Sequence, residues 1–270
     1  MIRVGVFGAG GRMGGEVCRA VAGTSDCEIV AAVDPRCAGA KLDLLAPSAG
    51  VPPIVVAADP AAMAEAGADV AVDFTVAEAA RVDLLWCAAN GVHAVSGTTG
   101  LSAEAVDELR QAFAASVGNC VLAANFAIGA VVLMRLAEIA APYMEGAEII
   151  ELHHATKVDA PSGTALATAS GIARARAEAG RERWPARPAP VEILPGVRGG
   201  TGAGGVGIHS VRLPGLVAHQ EVVFGAAGQA LTIRHDAFDR TSFMPGVLAA
   251  VRAVSGHPGL TVGLAPVLGL

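Results

Sequence analysis

Residues 2–14 of the chain read IRVGVFGAGGRMG, a short apolar run that passes directly into a glycine-rich loop. The run Ile2–Phe7 predicts a buried β-strand, and the residues from Arg12 to Ala22 have the composition of a helix. A glycine loop between a strand and a helix offers the pyrophosphate of a dinucleotide free backbone amides, a helix N-terminus and the space that a Cβ would fill. The stretch therefore predicts a Rossmann-like domain that binds a nicotinamide dinucleotide.

The spacing of these glycines departs from the usual G-x-G-x-x-G pattern, because Met13 stands where the third glycine would be. Gly8, Gly11 and Gly14 follow the spacing G-x-x-G-x-x-G instead, and the loop could be a plain turn in a chain with 34 glycines. Asp34 favours the cofactor interpretation. It ends a second predicted strand 20 positions after Gly14, where an acid binds the ribose hydroxyls of the dinucleotide.

The choice between the two nicotinamide cofactors stays open at this level. Asp34 alone favours NADH, because a carboxylate repels the 2′-phosphate of NADPH. Arg12 and Arg36 stand close to Asp34 in the motif and could pair with that phosphate, although either could equally be a solvated surface residue. The sequence therefore predicts NADH or NADPH as the cofactor.

The rest of the first half alternates predicted strands with predicted helices, which is typical of a parallel sheet covered by helices. The strands are predicted at Ile2–Phe7, Glu28–Val33, Ile54–Ala57, Val70–Phe74, His93–Val95 and Cys120–Ala123. The helices are predicted at Arg12–Ala22, Pro60–Ala66, Ala77–Ala89 and Ser102–Ala115. Residues 73–75 (DFT) and 97–100 (GTTG) end two of these strands, where ligands of an open α/β sheet bind, although both could be plain strand-end turns.

After about Asn125 the pattern changes to helices followed by closely spaced strands, which suggest an antiparallel sheet. Helices are predicted at Ile128–Tyr143, Thr164–Ala179 and Arg240–Val254, and strands at Glu148–His153, Val191–Leu194, Ile208–Leu213, Glu221–Phe224 and Leu231–His235. The chain is therefore predicted to have an α/β fold with two domains. A Rossmann-like parallel-sheet domain covers residues 1–124 and 237–270, and an α+β domain with a mixed or antiparallel sheet covers residues 125–236.

The composition excludes several classes of protein. A net charge of −6 leaves no basic excess to neutralise phosphates, so a nucleic-acid partner is not expected. Five cysteines without a C-x-x-C pair indicate buried thiols in a reducing compartment, and we expect a cytoplasmic protein. The uncharged stretch Gln111–Met134 is long enough to cross a bilayer, but Gly118, Asn119, Asn125 and Gly129 interrupt it, so no membrane partner is expected.

The segment with the most chemically active side chains is residues 151–166, ELHHATKVDAPSGTAL. His153 and His154 end a predicted strand, and Lys157 is one of only two lysines in the chain. Ser162 and the two residues after it open a helix, whose free amides and hydroxyls suit a carboxylate. The segment thus combines a general acid, a cation and an anion site. The alternatives are a structural loop and a metal site, but zinc would need further ligands and no metal is expected.

These residues resemble the family of 4-hydroxy-tetrahydrodipicolinate reductases, also called dihydrodipicolinate reductases. Residues 151–165 are similar to the family signature E-x-H-H-x-x-K-x-D-x-P-S-G-T-A, and the resemblance extends to the glycine loop, to residues 73–75 and 97–100, and to residues 124–126 (ANF). It implies hydride transfer from NADH or NADPH to a cyclic imine dicarboxylate, giving tetrahydrodipicolinate for lysine and diaminopimelate synthesis. It also implies a homotetramer assembled through the sheet of the substrate-binding domain.

The resemblance also implies roles for individual residues. His153 would be the general acid and Lys157 its catalytic partner. Substrate contacts would come from His154, Ser162, Gly163 and Thr164. The cofactor would be lined by Gly11, Met13, Asp34, Phe74, Gly97, Thr99, Ala124 and Phe126. To these we add, from the motifs and from the charge argument above, Gly8, Arg12, Arg36, Thr75, Thr98 and Asn125. The chain departs from the family in one stretch: residues 198–209 are glycine-rich where many relatives carry R-x-G-D-I-V-G-E-H, and Arg198, Gly207 and His209 match this motif loosely.

Two other functions remain possible from the residues alone. Another Rossmann-fold dehydrogenase, such as a semialdehyde dehydrogenase, needs a cysteine nucleophile, and Cys120 stands at a strand start rather than near a base. A non-catalytic NAD(P)-binding redox sensor would keep the glycine loop, but it would have no use for the segment that contains His153 and Lys157.

Overall fold

The computed structural model describes residues 1–181, 183–184 and 191–270, which form two compact units. The first unit comprises Met1–Ile128 and Arg240–Leu270, and the second comprises Gly129–Asp239. The second unit is thus inserted into the sequence of the first.

The first unit is built on a six-stranded sheet in the order β11-β5-β4-β3-β1-β2, and every neighbouring pair is parallel. The strands are β1 (Ile2–Phe7), β2 (Cys27–Val33), β3 (Val70–Asp73), β4 (His93–Ser96), β5 (Cys120–Leu122) and β11 (Leu260–Val262). The helices are α1 (Arg12–Ala22), α2 (Leu42–Leu45), α3 (Ala61–Glu65), α4 (Ala77–Asn90), α5 (Ala103–Ala114) and α8 (Met244–Ala253). This arrangement confirms the predicted parallel α/β sheet.

Apolar residues on both faces of the strands explain why this sheet is buried. All four residues of β3 and all three of β5 are buried, as expected when helices cover both faces of a parallel sheet. The core is made largely of alanine and leucine, with Phe7 and Phe113 as large members. The hydroxyl of Ser102 accepts a hydrogen bond from the amide of Ala105 at 3.2 Å and so caps α5 as the sequence predicts.

The second unit contains a mixed five-stranded sheet in the order β10-β9-β6-β8-β7. Its strands are β6 (Gly146–His153), β7 (Gly200–Thr201), β8 (Gly207–Arg212), β9 (Ala218–Ala226) and β10 (Gln229–Ala237). Only the β6–β8 pair is parallel. Helices α6 (Ile128–Ala140) and α7 (Gly163–Glu178) pack on one face, where Ile149, Val222 and Phe224 form a core with Leu133 and Ile172.

The structure differs from the predicted elements at several places, and the sequence does not predict the short helix α2 or the short strand β7. The strand predicted at residues 54–57 is reduced to two isolated bridges, at Val55 and at Ala57. Two prolines precede these residues, and proline lacks the amide that a longer ladder would need. The strand predicted at Val191–Leu194 is wrong: Val191 is 94% exposed, and no strand pairs with the segment among the residues that the structure describes. The sequence also fails to predict β11, whose three residues pair with β5. A β-branched composition gives only a propensity for the extended conformation. Whether a segment becomes a strand depends on pairing with a neighbouring strand.

The uncharged stretch Gln111–Met134 is divided between the end of α5, strand β5 and the start of α6. Over the described residues, no helix is both long and apolar enough to cross a membrane.

Candidate functional site

The carboxyl ends of five strands in the first unit lie side by side. The register pairs the last residues of β1 to β5 with one another, namely Phe7, Val33, Asp73, Ser96 and Leu122. Five predicted segments therefore follow the strands at the same end of the sheet. They are the glycine loop, Asp34, the loop at Phe74, the loop at Gly97 and the segment at Ala124. The structure brings together the cofactor-lining segments that the sequence predicts.

The glycine loop has a backbone that explains its unusual spacing. Gly8 has a φ of +63°, which L residues with a Cβ rarely adopt, and its carbonyl accepts a hydrogen bond from the amide of Gly11 at 2.9 Å. Gly11 is the N-cap of α1. A Cβ on Gly14 would overlap the carbonyl oxygen of Gly8. Gly14 thus lets the helix approach the loop closely, and this glycine cradle (residues 8–14) leads into the N-terminus of α1, a feature that suits a dinucleotide pyrophosphate.

Substitution of Gly14 is expected to damage this loop. Because the new Cβ would strike backbone rather than a flexible side chain, Gly14→Ala should lower the free energy of unfolding by about 1–3 kcal/mol. It should also weaken NADH binding. Gly15→Ala is the matched control in the same helix, because its Cβ would lie 3.4 Å from the flexible end of Arg19, and a helical Gly→Ala change stabilises by up to about 1 kcal/mol. Thermal unfolding and a fluorescence titration with NADH measure both effects, and equal behaviour of the two variants would contradict the prediction.

Asp34 is 3% exposed and directly follows β2, the position at which the sequence predicts the ribose-binding acid. Its carboxylate accepts hydrogen bonds from the amide of Gly10 at 3.2 Å and from the amide and Nε of Arg36 at 3.1 and 3.4 Å. Burial acts to raise the pKa of Asp34, but the bonds from Arg36 and Gly10 outweigh it and hold this pKa below its usual value. Asp34 is therefore a carboxylate at neutral pH. The side chain of Arg36 is 80% exposed and accessible to a ligand.

Asp73 connects two of the strand-end loops. Its fully buried carboxylate accepts hydrogen bonds from the hydroxyls of Thr75 at 2.9 Å, Thr98 at 2.6 Å and Ser96 at 3.4 Å. Asp83 of α4 hydrogen-bonds to Asp73, and burial together with the charge of Asp73 raises the pKa of Asp83 to about 7. The hydroxyl of Thr98 therefore points into the protein, and its residue is only 6% exposed.

The ring of Phe74 completes this edge. Its centroid lies 5.7 Å from that of Phe126 with the planes tilted by 59°, and it fills the space that a Cβ of Gly97 would need. Asn125 accepts a hydrogen bond from the amide of Ala127 at 2.9 Å through its side-chain oxygen. Of the other predicted lining residues, the exposed ones are Arg12, Thr99 and Ala124, and Met13 is partly exposed.

In the second unit, His153 lies at the end of β6 beside a fully buried acid. Glu151 is two residues earlier on the same face of the sheet, and its Oε2 lies 2.5 Å from Nδ1 of His153. Burial acts to raise the pKa of Glu151, but hydrogen bonds from Arg212 and others outweigh it and lower this pKa. An ionised Glu151 accepts the proton of Nδ1, which leaves Nε2 of His153 as the atom that can exchange a proton.

Burial is also the largest influence on His153 and lowers its pKa. Glu151 acts in the opposite direction, whereas the charges of Lys157 and Arg212 lower this pKa further. The protonated imidazole is consequently a stronger acid than an exposed histidine. A bound anion would oppose the two cations and favour the protonated form.

Lys157 and the start of α7 lie in the segment that follows. Nζ of Lys157 donates to both carboxylate oxygens of Asp159, at 2.7 and 2.8 Å. His154 is exposed, and its Nδ1 lies 2.8 Å from the hydroxyl of Thr156. Ser162 is the N-cap of α7 and its hydroxyl accepts the amide of Ala165 at 3.2 Å. Gly163 and Thr164 form the first turn, whose positive end suits an anion.

Sequence reasoning missed Arg212, which lies beside His153 in the parallel β6–β8 register. Arg212 donates to Glu151 through both terminal nitrogens, at 2.8 and 2.9 Å. The alternation of β8 could have indicated that Ser210 and Arg212 share a face. Arg198 and His209, which match the family motif loosely, pair instead with Glu148 on the opposite face of this sheet. Among the residues described here, no group of three or more His, Cys, Asp or Glu side chains could hold a metal.

Comparisons with known proteins match the whole chain. A family model described as "Dihydrodipicolinate reductase, N-terminus" matches residues 2–126, and one described as "Dihydrodipicolinate reductase, C-terminus" matches residues 129–268. The 4-hydroxy-tetrahydrodipicolinate reductase of Cutibacterium acnes is 50% identical over 272 residues, which cover 100% of both chains. The enzyme of the same name from Nocardia farcinica is 50% identical over 270 residues, covering 100% of this chain and 99% of the other.

Solved structures agree with these matches. A dipicolinate-bound dihydrodipicolinate reductase from Paenisporosarcina sp. TG-14 superposes with a TM-score of 0.84 and 37% identity, covering 98% of this chain and 99% of the other. A myo-inositol dehydrogenase from Corynebacterium glutamicum superposes with a TM-score of 0.61 at 17% identity, covering 96% of this chain and 90% of the other. The second likeness concerns the fold alone.

Proposed function

The chain belongs to the dihydrodipicolinate reductase family, and from this premise we propose which residues of each unit carry the reaction. It is an NAD(P)H-dependent 4-hydroxy-tetrahydrodipicolinate reductase of lysine and diaminopimelate biosynthesis. The first unit (Met1–Ile128 and Arg240–Leu270) holds the cofactor and the second (Gly129–Asp239) holds the substrate, a division within a few residues of the predicted boundaries at 124/125 and 236/237. The observation that carries this division is the grouping of His153, Lys157 and the N-terminus of α7 in the second unit.

The cofactor is NADH or NADPH and supplies the hydride when bound. The glycine cradle supports pyrophosphate binding, and the carboxylate of Asp34 supports binding of the adenosine ribose. Arg36 is exposed beside Asp34, Arg12 is exposed at the start of α1, and either could pair with a 2′-phosphate. The proposed lining is Gly8, Gly11, Arg12, Met13, Asp34, Arg36, Phe74, Thr75, Gly97, Thr98, Thr99, Ala124, Asn125 and Phe126. Thr98 would contribute its backbone, because its hydroxyl is bonded to Asp73.

The substrate is a cyclic imine with two carboxylates, in keeping with the dipicolinate bound by the Paenisporosarcina relative. We assign its carboxylates to the first turn of α7, at Ser162, Gly163 and Thr164, and to the exposed His154. A helix N-terminus presents amides and a positive partial charge, which together suit a carboxylate. Lys157 adds a full positive charge in the same segment, and we assign it, together with His153, to catalysis.

The chemistry needs a proton and charge stabilisation from this second unit. Hydride addition to a conjugated imine brings two electrons into the ring, and negative charge develops there until a proton is added. His153 is the proposed donor of that proton, from Nε2, while Glu151 holds Nδ1. The ammonium of Lys157 stabilises the developing charge. The negative charge of the bound dicarboxylate opposes the two cations that, after burial, lower the pKa of His153, and so favours the protonated form of the acid.

We also propose a homotetramer in the cytoplasm. The face of the second sheet that α6 and α7 leave uncovered carries the partly exposed apolar residues Ile150, Leu152, Val211 and Val223. An apolar sheet face of this kind suits contact with another subunit. All five cysteines are free, which supports a reducing compartment. Size-exclusion chromatography with light scattering tests the assembly, and a monomeric mass would contradict it.

The two alternatives lack support. A cysteine-dependent dehydrogenase would need an accessible nucleophile, but Cys120 is fully buried and burial raises the pKa of its thiol. A non-catalytic redox sensor would not need Glu151, the buried acid that holds the ring of His153.

A coupled assay tests the function directly. The protein is mixed with dihydrodipicolinate synthase, pyruvate and aspartate semialdehyde, and the absorbance of NADH or NADPH is followed. We expect the nicotinamide to be oxidised only when all components are present. The absence of oxidation with both cofactors would overturn the assignment, and titration of each cofactor would give their relative kcat/KM.

A further inference from the structure

Arg212 lies between strand β6, which carries His153, and the following loop, which carries Lys157. Its guanidinium binds the carboxylate of Glu151 with two hydrogen bonds, Nη1 to Oε2 at 2.9 Å and Nη2 to Oε1 at 2.8 Å. The same Nη2 donates to the backbone carbonyl of Asp159 at 2.7 Å. One planar side chain therefore contacts both the strand that carries His153 and the loop that carries Lys157.

The contacts with Glu151 and with Asp159 each lead to one catalytic side chain, whereas Nη1 also donates to the carbonyl of Val211 at 2.8 Å. Glu151 binds Nδ1 of His153 at 2.5 Å, and it also accepts the amide of Ser162 at 3.2 Å. Asp159 holds Nζ of Lys157 through both carboxylate oxygens. We propose that Arg212 is a positioning residue that fixes the imidazole of His153 and the ammonium of Lys157 in one arrangement. This inference rests on the catalytic roles proposed above for His153 and Lys157.

The chemistry of the side chain supports this role. Glu151 is fully buried, and a buried carboxylate without a paired cation is strongly unfavourable. A guanidinium presents several donors in one plane, so it can hold a carboxylate with two bonds and still bind a carbonyl. A lysine in its place would supply the charge but not the two parallel donors that bind both carboxylate oxygens. Arg212 also lies on the same sheet face as Glu151 and His153, where β6 and β8 are in parallel register.

A purely structural ion pair is the competing explanation, and Arg198 provides the matched control. Arg198 binds a carboxylate oxygen of Glu148 at 2.9 Å, on the opposite face of the same sheet. Arg198→Gln removes an arginine–glutamate pair of the same sheet, although a more exposed one, without touching His153 or Lys157. If Arg212 is only structural, Arg212→Gln and Arg198→Gln should differ in thermal stability alone.

The test measures the ring titration of His153 by NMR in the protein without substrate, with the signal assigned through His153→Ala. Removal of the guanidinium in Arg212→Gln leaves Glu151 paired chiefly with His153, and the ring pKa should rise by about one unit or more. Glu151→Gln should lower this pKa, because the carboxylate that raises it is gone. These opposite shifts form the signature of the network.

Kinetics complete the test. Arg212→Lys should lower kcat about 100-fold through misplacement of the reacting groups, with KM for the nicotinamide cofactor unchanged. It retains a cation beside Glu151, so it remains informative if Arg212→Gln does not fold. An unshifted His153 titration in Glu151→Gln, or kcat of Arg212→Lys equal to that of Arg198→Gln, would overturn the proposal. Because the titration needs no turnover, it remains decisive even if the wild-type protein is inactive in the coupled assay.

Discussion

His153→Ala is expected to lower kcat by about 100- to 10,000-fold, the usual contribution of a general acid. The reduced ring must receive a proton, and Nε2 of His153 is the proposed source because Glu151 occupies Nδ1 at 2.5 Å. The binding of NADH should not change, since the glycine cradle and Asp34 belong to the other unit. The largest effect should therefore fall on turnover rather than on cofactor affinity.

Steady-state kinetics with a saturating cofactor measure this effect, and a fluorescence titration with NADH measures cofactor affinity. His257→Ala is the matched control, because it removes a histidine of the first unit that lies outside both proposed sites. It should keep the wild-type kcat. If His153→Ala turned over at the wild-type rate, His153 could not be the acid and another proton donor would have to be sought.

Lys157→Ala is expected to lower kcat/KM by roughly 100- to 1,000-fold, the cost of removing one group aimed at developing charge. The side chain of Lys157 is 21% exposed and is held by Asp159, which keeps a compact ammonium in the segment of His153. Lys157→Arg should recover little of the loss, because a planar guanidinium has a different shape and donor geometry.

The chain provides an unusually clean control for this experiment, since Lys41 is its only other lysine. Lys41 is exposed in the first unit, and Lys41→Ala should retain full activity. The folded state should survive Lys157→Ala as well, because Asp159 is 57% exposed and exposed ion pairs contribute about 0–1 kcal/mol. Equal kcat/KM values for the two lysine variants would contradict the catalytic role of Lys157.

The parts of the fold and site that the sequence predicts are carried by contiguous segments. The glycine loop, the acid at the end of β2 and the segment from His153 to Thr164 each combine a local element signal with reactive side chains. Their residue types and order in the chain indicate the class of chemistry, whereas the roles of individual residues come from the resemblance to the family. The parallel sheet follows likewise from strands that are apolar on both faces.

The parts that could not be predicted depend on contacts between distant residues. Arg212 is 61 positions from Glu151, and only the β6–β8 pairing brings them together. Asp83 meets Asp73 because α4 packs against β3, which no local motif indicates. Residues 191–194 show the reverse case: their composition favours a strand, but β propensity has no effect without a partner strand.

The position of β11 has a consequence for the order in which the protein can form during synthesis. Residues 260–262 supply the outermost strand beside β5, and the amide of Cys120 is satisfied by the carbonyl of Gly259. Asn119 holds the same segment through bonds to the backbone of Val254, Ser255 and Gly259. Residues 260–262 leave the ribosome after all of the inserted second unit. The second unit can therefore fold while translation continues, whereas the sheet of the first is completed only after these three residues have been synthesised.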